Sequence, residues 1–184
     1  PFEVAQRWRA LTGLRLGGGW GMTETSPAGT AIPPDLEFGP GAIGVPLPGI
    51  EMDIASLDDP RRVLPPGEIG EIRIRGRNVF SGYWSRPEES AAAFVDDWFL
   101  TGDIGSMDKQ GAFTLLDRKK DMIISGGFNV YPRDVEEAIH EHPAVAEAAV
   151  IGVPDPYRGQ AAKAFVRLRE SAAPFTLDEL RGFL

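Results

Sequence analysis

Twenty-two glycines and sixteen prolines are scattered through the 184 residues. Each one interrupts or bends the chain, so regular elements must be short and joined by many turns. A sustained coiled coil is incompatible with that punctuation. With 42% hydrophobic and 25% charged residues, the chain has the material for a packed core rather than for disorder. No internal repeat is visible.

Two periodicities run between the breaks. Ile50, Met52 and Ile54 alternate with Glu51 and Asp53, and Ile72 and Ile74 with Glu71, Arg73 and Arg75. Two half-buried antiparallel strands are expected on either side of the Pro65-Pro66-Gly67 turn. Upstream, Val4, Trp8 and Leu11 have helical spacing with Gly13 as the stop, and Leu14-Arg15-Leu16 is expected as a short strand. Downstream, Asp108 to Gly111 is a turn, Phe113 to Leu116 a strand, and Asp117 to Asp121 a charged surface run. Met122 to Ile124, Val145 to Val153 and Ala162 to Leu168 read as strands, and Pro132 starts a helix with Val135, Ala138 and Ile139 on one face. Thr176-x-x-Glu179 is a capping box for a helix with Leu177, Leu180 and Leu184 on its apolar side. A helix that stops on an apolar face reads as truncated. The expected fold class is α+β.

The net charge of −8 argues against a phosphate-backbone binder, so no nucleic-acid partner is expected. No run approaches the roughly 20 apolar residues of a membrane helix, and no basic-then-apolar leader opens the chain. The absence of cysteine removes disulfides and thiolate chemistry. His140 and His142, two positions apart on a helix, face different ways and are expected at the surface rather than on a metal.

Gly17 to Glu24 carries little side-chain bulk until its polar end, which suits close approach of a ligand. It lacks Gly-Lys-Ser/Thr and does not complete Gly-x-Gly-x-x-Gly, so neither a P-loop nor a dinucleotide fingerprint fits. Taken singly, Thr23 and Glu24 read as a helix start capped by Thr23 or Thr25. Asp103 reads as a turn cap, Arg118 as a solvated charge, and Gly126-Gly127 as a hairpin turn or a passage beside bare backbone.

Taken in order, Gly19-Trp20-Gly21-Met22-Thr23-Glu24-Thr25, Thr101-Gly102-Asp103, Asp117-Arg118-Lys119-Lys120-Asp121 and Ser125-Gly126-Gly127-Phe128-Asn129-Val130-Tyr131-Pro132 resemble the adenylate-forming superfamily of acyl-CoA synthetases. The likeness covers nearly the whole chain, including Gly44-Val45-Pro46-Leu47-Pro48-Gly49, Gly82-Tyr83-Trp84 and Gly152-Val153-Pro154-Asp155. It implies that residues 1–118 end a large AMP-binding domain with an antiparallel β-rich subdomain. Residues 119–184 would then form a small mobile α+β lid hinged near Lys120, with both domains truncated. It also implies a two-step reaction, in which a carboxylate and ATP give an acyl-adenylate and pyrophosphate and CoA then takes the acyl group.

The resemblance also assigns roles. Gly19, Trp20 and Gly21 would meet the nucleotide, with Trp20 stacked on adenine where the family usually has tyrosine. Thr23 would meet phosphate, and Glu24 the Mg²⁺ that bridges the ATP phosphates. Asp103 would read the paired ribose hydroxyls, with Arg118 at the same sugar or phosphate. Gly126 and Gly127, with Ser125, would line the pantetheine path, and Arg158 would face CoA phosphates. ATP/AMP, Mg²⁺ and CoA are thus the implied ligands, a small-molecule carboxylic acid the partner and the cytoplasm the location.

The family's Ser/Thr/Gly-rich phosphate loop and its late catalytic lysine have no counterpart in these residues, so the chain alone is expected not to be a competent ligase. Gly21 stands where acetate-activating relatives carry a tryptophan, which implies a longer acyl group. A medium- or long-chain fatty acid comes first, with an aromatic acid or a dicarboxylate such as malonate next. A non-catalytic AMP-binding module and an adenylating domain that loads a carrier protein remain open.

Overall fold

The computed structural model describes residues 2–15, 17–34, 39, 41–170, 172 and 175–183. They form two compact units, Pro1–Leu115 and Leu116–Leu184.

The first unit opens with helix α1 (Phe2–Thr12). It ends where Gly13, at φ 72°, returns its amide to the Arg9 carbonyl at 2.9 Å, a left-handed stop that glycine adopts without steric cost. Trp8 and Leu11 on this helix are exposed. Leu14 and Arg15 are irregular rather than a strand, and Leu16 lies outside the described residues. The first strand instead comes later, at β1 (Gly19–Trp20), followed by β2 (Thr30–Ala31), β3 (Ala42–Pro46), β4 (Ile50–Ala55) and β5 (Ile69–Gly76). A short helix, α2 (Pro87–Ala92), precedes β6 (Phe94–Val95), β7 (Trp98–Met107) and β8 (Phe113–Arg118). The sheet order is β1-β2-β3-β8-β7-β5-β4, with β6 paired to β7.

β4 and β5 pair antiparallel from Ile50↔Gly76 to Ala55↔Glu71, as the alternation requires. The alternation misleads on one point, because β5 lies between β4 and β7 and both its faces are covered. Glu71 and Arg73 are 2% and 4% exposed, so each needs a buried partner. Arg73 finds Asp53 in a bidentate pair at 2.7 and 2.6 Å and donates also to the Pro60 carbonyl at 2.6 Å. Ile43, Ile54, Ile72 and Phe113 form the core, with Trp20, Met52, Leu64, Met107 and Leu115 packed against it. Each fully buried side chain of this size stabilises the unit by about 1.5–3 kcal/mol.

The second unit continues with β9 (Ile123–Ser125), β10 (Phe128–Val130), α3 (Pro132–His140), β11 (Val145–Asp155), β12 (Gly159–Leu168) and α4 (Leu177–Phe183). Its antiparallel sheet has the order β10-β9-β12-β11. Ile123, Ile139, Val145, Val150 and Leu180 form a separate core. The Glu136 carboxylate accepts the Val150 amide at 2.7 Å and so ties α3 to β11. The capping box is present as read: Thr176 Oγ1 accepts the Glu179 amide, and the Glu179 carboxylate accepts the Thr176 amide at 2.6 Å. Leu180 is buried, whereas the side chain of Leu177 and all of Leu184 lie outside the described residues. His140 is exposed, but His142 is half-buried between the rings of Phe175 and Phe183, at 4.5 and 4.9 Å. Its apolar neighbours come from residues C-terminal to β12, which helical spacing around α3 does not register.

Candidate functional site

The glycine-rich segment is shaped by its own neighbours. β1 pairs with β2 through Gly19↔Ala31 and Trp20↔Thr30. A Cβ on Gly19 would stand 2.4 Å from the Thr30 carbonyl oxygen, and one on Gly21 only 1.9 Å from that of Pro27. Both glycines are therefore demanded by backbone approach. The space beside Gly21 is filled by the Pro27–Ala28 backbone, so it gives no opening for a longer acyl group. A Cβ on Gly29 would come within 2.5 Å of the Trp20 ring, which puts that backbone directly against the indole. Trp20 is half-buried, and its indole N–H donates to Asp103 Oδ2 at 2.7 Å.

Thr23–Thr25 is one turn of 3₁₀ helix. Thr25, not Thr23, closes it: the buried Thr25 hydroxyl accepts the Met22 amide at 3.0 Å and donates to the Met22 carbonyl at 3.1 Å. Thr23 is exposed. Glu24 is half-buried and accepts the Tyr83 hydroxyl on Oε1 at 3.0 Å, while its backbone carbonyl accepts the Phe80 amide at 2.8 Å. Tyr83 is itself held in place. Its amide donates to Ser90 Oγ at 2.8 Å, and its ring meets Phe80 edge-on at 4.8 Å. Burial, helped by the bond to Glu24, pushes the Tyr83 phenol above its usual range. The Asn78 side-chain amide donates to the carbonyls of Thr25 and Ala28 at 3.0 and 2.6 Å. The chain from Asn78 to Tyr83 thus supports the Glu24 turn. Sequence reasoning gives Asn78 no role and quotes Tyr83 only within the Gly82-Tyr83-Trp84 motif, because partners 50 to 59 positions apart leave no local signal of the contact.

Thr101-Gly102-Asp103 sits inside a strand, not at a turn. β5 and β7 pair through Glu71↔Ile104 and Arg73↔Leu100, so Ile72 alone faces all three residues across a bulge. Side chains replace the missing ladder bonds. Thr101 Oγ1 donates to the Ile72 carbonyl at 2.7 Å and accepts the Asp103 amide at 3.1 Å. Gly102, at φ 70°, gives its amide to Glu71 Oε1 at 3.0 Å. Asp103 ends up 1% exposed.

In the second unit, Arg118 at the end of β8 and Lys120 in the turn that follows are exposed, and the Asp121 and Met122 amides return to the Arg118 carbonyl. Asp117 spans this turn, accepting the Arg118 amide on one oxygen at 2.7 Å and the Arg133 amide in the first turn of α3 on the other at 3.1 Å. Gly126 and Gly127, at φ 59° and 85°, occupy the two left-handed positions of the β9–β10 hairpin. The Gly126 amide donates to the Arg158 carbonyl at 2.9 Å. Asp155 Oδ1 accepts the amides of Arg158 and Tyr157 at 2.7 and 2.9 Å, and these bonds hold its carboxyl below its ordinary range. Gly126, Gly127 and Arg158 therefore come together at one end of this sheet.

Of the residues predicted from sequence, the fold joins Trp20 to Asp103 directly and fixes Glu24 through Tyr83. No cluster of three His, Asp or Glu that could hold a metal exists among the described residues. A single half-buried carboxylate fits Mg²⁺, which keeps its waters and takes phosphate oxygens rather than a full protein cage.

Residues 1–84 match the family of AMP-binding enzymes, and residues 134–184 match the AMP-binding enzyme C-terminal domain. A long-chain-fatty-acid–CoA ligase of Bacillus subtilis (strain 168) is 46% identical over 186 residues, covering 100% of this chain and 32% of that protein. ATP-bound MatB from Rhodopseudomonas palustris matches with a TM-score of 0.89 at 40% identity, over 99% of this chain and 37% of that one. o-Succinylbenzoate CoA synthetase (MenE) from Bacillus subtilis, in complex with the acyl-adenylate intermediate OSB-AMP, matches with a TM-score of 0.86 at 36% identity, over 100% and 37%. The chain spans about a third of the length of the curated relatives it matches.

Proposed function

The chain belongs to the AMP-binding enzyme family, and from that premise we propose that it supplies the ribose-reading, metal-holding and lid elements of an AMP-forming acyl-CoA synthetase. The overall reaction converts a carboxylic acid, ATP and CoA to acyl-CoA, AMP and pyrophosphate. The observation that carries this reading is the contact between Trp20 and Asp103, 83 positions apart and bonded at 2.7 Å. It joins an aromatic platform for a base to a carboxylate suited to a diol.

On this reading Gly19, Trp20 and Gly21 border the adenine, Asp103 accepts ribose hydroxyls and Thr23 offers its hydroxyl to phosphate. Glu24 holds Mg²⁺, which when bound neutralises phosphate charge. Residues 1–118 belong with the large domain and residues 119–184 form the lid. Lys120 serves as the pivot, its exposed turn able to change dihedral angles without disturbing a core. Arg118 precedes the pivot, and Gly126, Gly127 and Arg158 receive the CoA arm. The site of action is the cytoplasm, where ATP and CoA are drawn upon.

A medium- or long-chain fatty acid is the first choice of substrate, supported by the name of the 46% identical relative. An aromatic acid is the second, supported by the o-succinylbenzoate neighbour. Exchanging these 184 residues for the matching third of the Bacillus subtilis ligase tests the reading. Acyl-CoA formation that survives the exchange and is abolished by Glu24→Ala or Asp103→Ala supports it. An exchanged enzyme whose activity is indifferent to both substitutions refutes it. Running hexadecanoate, 2-succinylbenzoate and acetate side by side on the native protein decides the substrate class.

A further inference from the structure

Asp103 is buried in a bulge whose geometry is set by Thr101 and Glu71, but those two residues hold backbone amides: Thr101 Oγ1 takes the Asp103 amide and Glu71 the Gly102 amide. They place the Cα of Asp103 without choosing the rotation of its carboxylate. The indole N–H of Trp20 reaches the carboxylate itself, at 2.7 Å from Oδ2. The indole is fixed in turn. The backbone at Gly29 lies against its ring, the Trp20 amide donates to Thr30 Oγ1 at 3.0 Å, and the ring packs on the Ile43–Ile54–Ile72–Phe113 core. A donor this constrained gives the carboxylate one preferred plane. A hydrogen bond to a buried carboxyl is costly to leave unmade, so the indole N–H has a strong hold on its orientation.

Building on the nucleotide reading above, we propose that Trp20 is the positioning residue for sugar recognition: its N–H orients Asp103 for the ribose diol, in addition to any contact its ring makes with the base. A phenylalanine keeps an aromatic face but has no donor, so the two roles can be separated. Removing the N–H then weakens discrimination between nucleotides that differ only at the sugar and leaves discrimination between bases alone. A purely stacking or purely structural tryptophan predicts the opposite: all nucleotides weaken together and the sugar ratio stays constant.

The test is calorimetric titration of the exchanged enzyme, in which these 184 residues replace the matching third of the Bacillus subtilis ligase, with AMP, 2′,3′-dideoxy-AMP and GMP, carrying the native chain or Trp20→Phe. The native chain should prefer AMP to the dideoxy analogue. In Trp20→Phe that preference should shrink by about tenfold while the AMP-to-GMP ratio holds. Replacing Trp20 with benzothienylalanine, which swaps only the N–H for sulfur, should reproduce the effect and serves if Trp20→Phe does not fold. In an Asp103→Asn background, removing the N–H should have no further effect on the sugar ratio. An unchanged sugar ratio in both Trp20 variants overturns the inference while leaving the nucleotide reading intact. Failure of the exchanged enzyme carrying the native chain to bind AMP overturns both.

Discussion

The hydroxyl of Tyr83 donates to Oε1 of Glu24 at 3.0 Å across 59 positions of sequence. Three residues before Tyr83, the Phe80 amide holds the carbonyl of the same glutamate. Side chain and backbone of Glu24 are thus gripped by one segment, whose Phe80 ring is stacked on Phe94 and edge-on to Phe99. Tyr83→Phe removes one hydroxyl and no packing. The Mg²⁺ concentration giving half-maximal nucleotide binding should rise several-fold, with folding stability changed by no more than about 1 kcal/mol. Titration of Mg²⁺ against nucleotide binding, alongside urea unfolding, checks both halves.

The Gly102 amide is tied to Glu71 with the backbone at φ 70°. No atom would crowd a Cβ there, so the cost of a side chain is conformational. Gly102→Ala should destabilise the chain by about 1–2 kcal/mol, and Gly102→Val by more because of its branched Cβ. Glu71→Ala should weaken AMP binding more than Glu71→Gln, whose amide oxygen still accepts. Thermal melts and AMP titrations of the four variants read out these differences.

Arg73 and Asp53, with side chains 5% and 16% exposed, form a well-protected ion pair in the first unit. Arg73 also lies 4.7 Å from the centre of the Trp98 ring. Asp53→Asn leaves a buried guanidinium without its counter-charge and should cost about 3–5 kcal/mol. The exposed pair Arg86–Glu89 should yield less than about 1 kcal/mol. Comparing urea midpoints of Asp53→Asn and Glu89→Gln tests that contrast.

In the second unit, the Thr176 amide and then its hydroxyl hold Glu179 below its ordinary value of 4.5. A lowered acid contributes stability that is present above its unfolded-state pKa and is lost as pH falls through its folded one. Asp155, lowered by the Arg158 and Tyr157 amides, acts in the same direction. Asp134, raised first by burial and then by Glu137, acts in the opposite one. Amide exchange in α4 should therefore accelerate as pH falls below about 4.5 once corrected for intrinsic rates. Glu179→Gln should flatten that dependence.

What the sequence made legible follows the range of the physics involved. The capping box at Thr176, the Asp108–Gly111 turn, the α3 face and the extended runs of β4 and β5 depend on neighbours within a few residues, and all are found where read. β7 carries Asp103 yet announces itself poorly, because Thr101-Gly102-Asp103 interrupts its alternation and resembles a turn. The burial of Glu71 and Arg73 depends on β7 docking through Ile104 and Leu100, far along the chain, which no local pattern contains. Asp103 and Glu24 could be named from an ordered set of motifs. The groups that aim them, the Trp20 N–H and the Tyr83 hydroxyl, became visible only when the chain was folded. Gly21 shows the reverse case. Its lack of a side chain invited a reading about substrate size, whereas the Pro27 carbonyl 1.9 Å from its would-be Cβ gives a sufficient local cause.

Between the pairs Arg73↔Leu100 and Glu71↔Ile104, β5 uses one residue and β7 three. The surplus of two is even, so side chains on either side of the bulge keep their faces. Losing one residue here would invert every position of β7 from Ile104 onward, whereas losing two would close the ladder with its alternation intact. Asp103 therefore rides on a length difference that the sheet accommodates without needing it. In genetic terms the surplus corresponds to two codons, whose loss would leave the alternation of the surrounding sheet as it is.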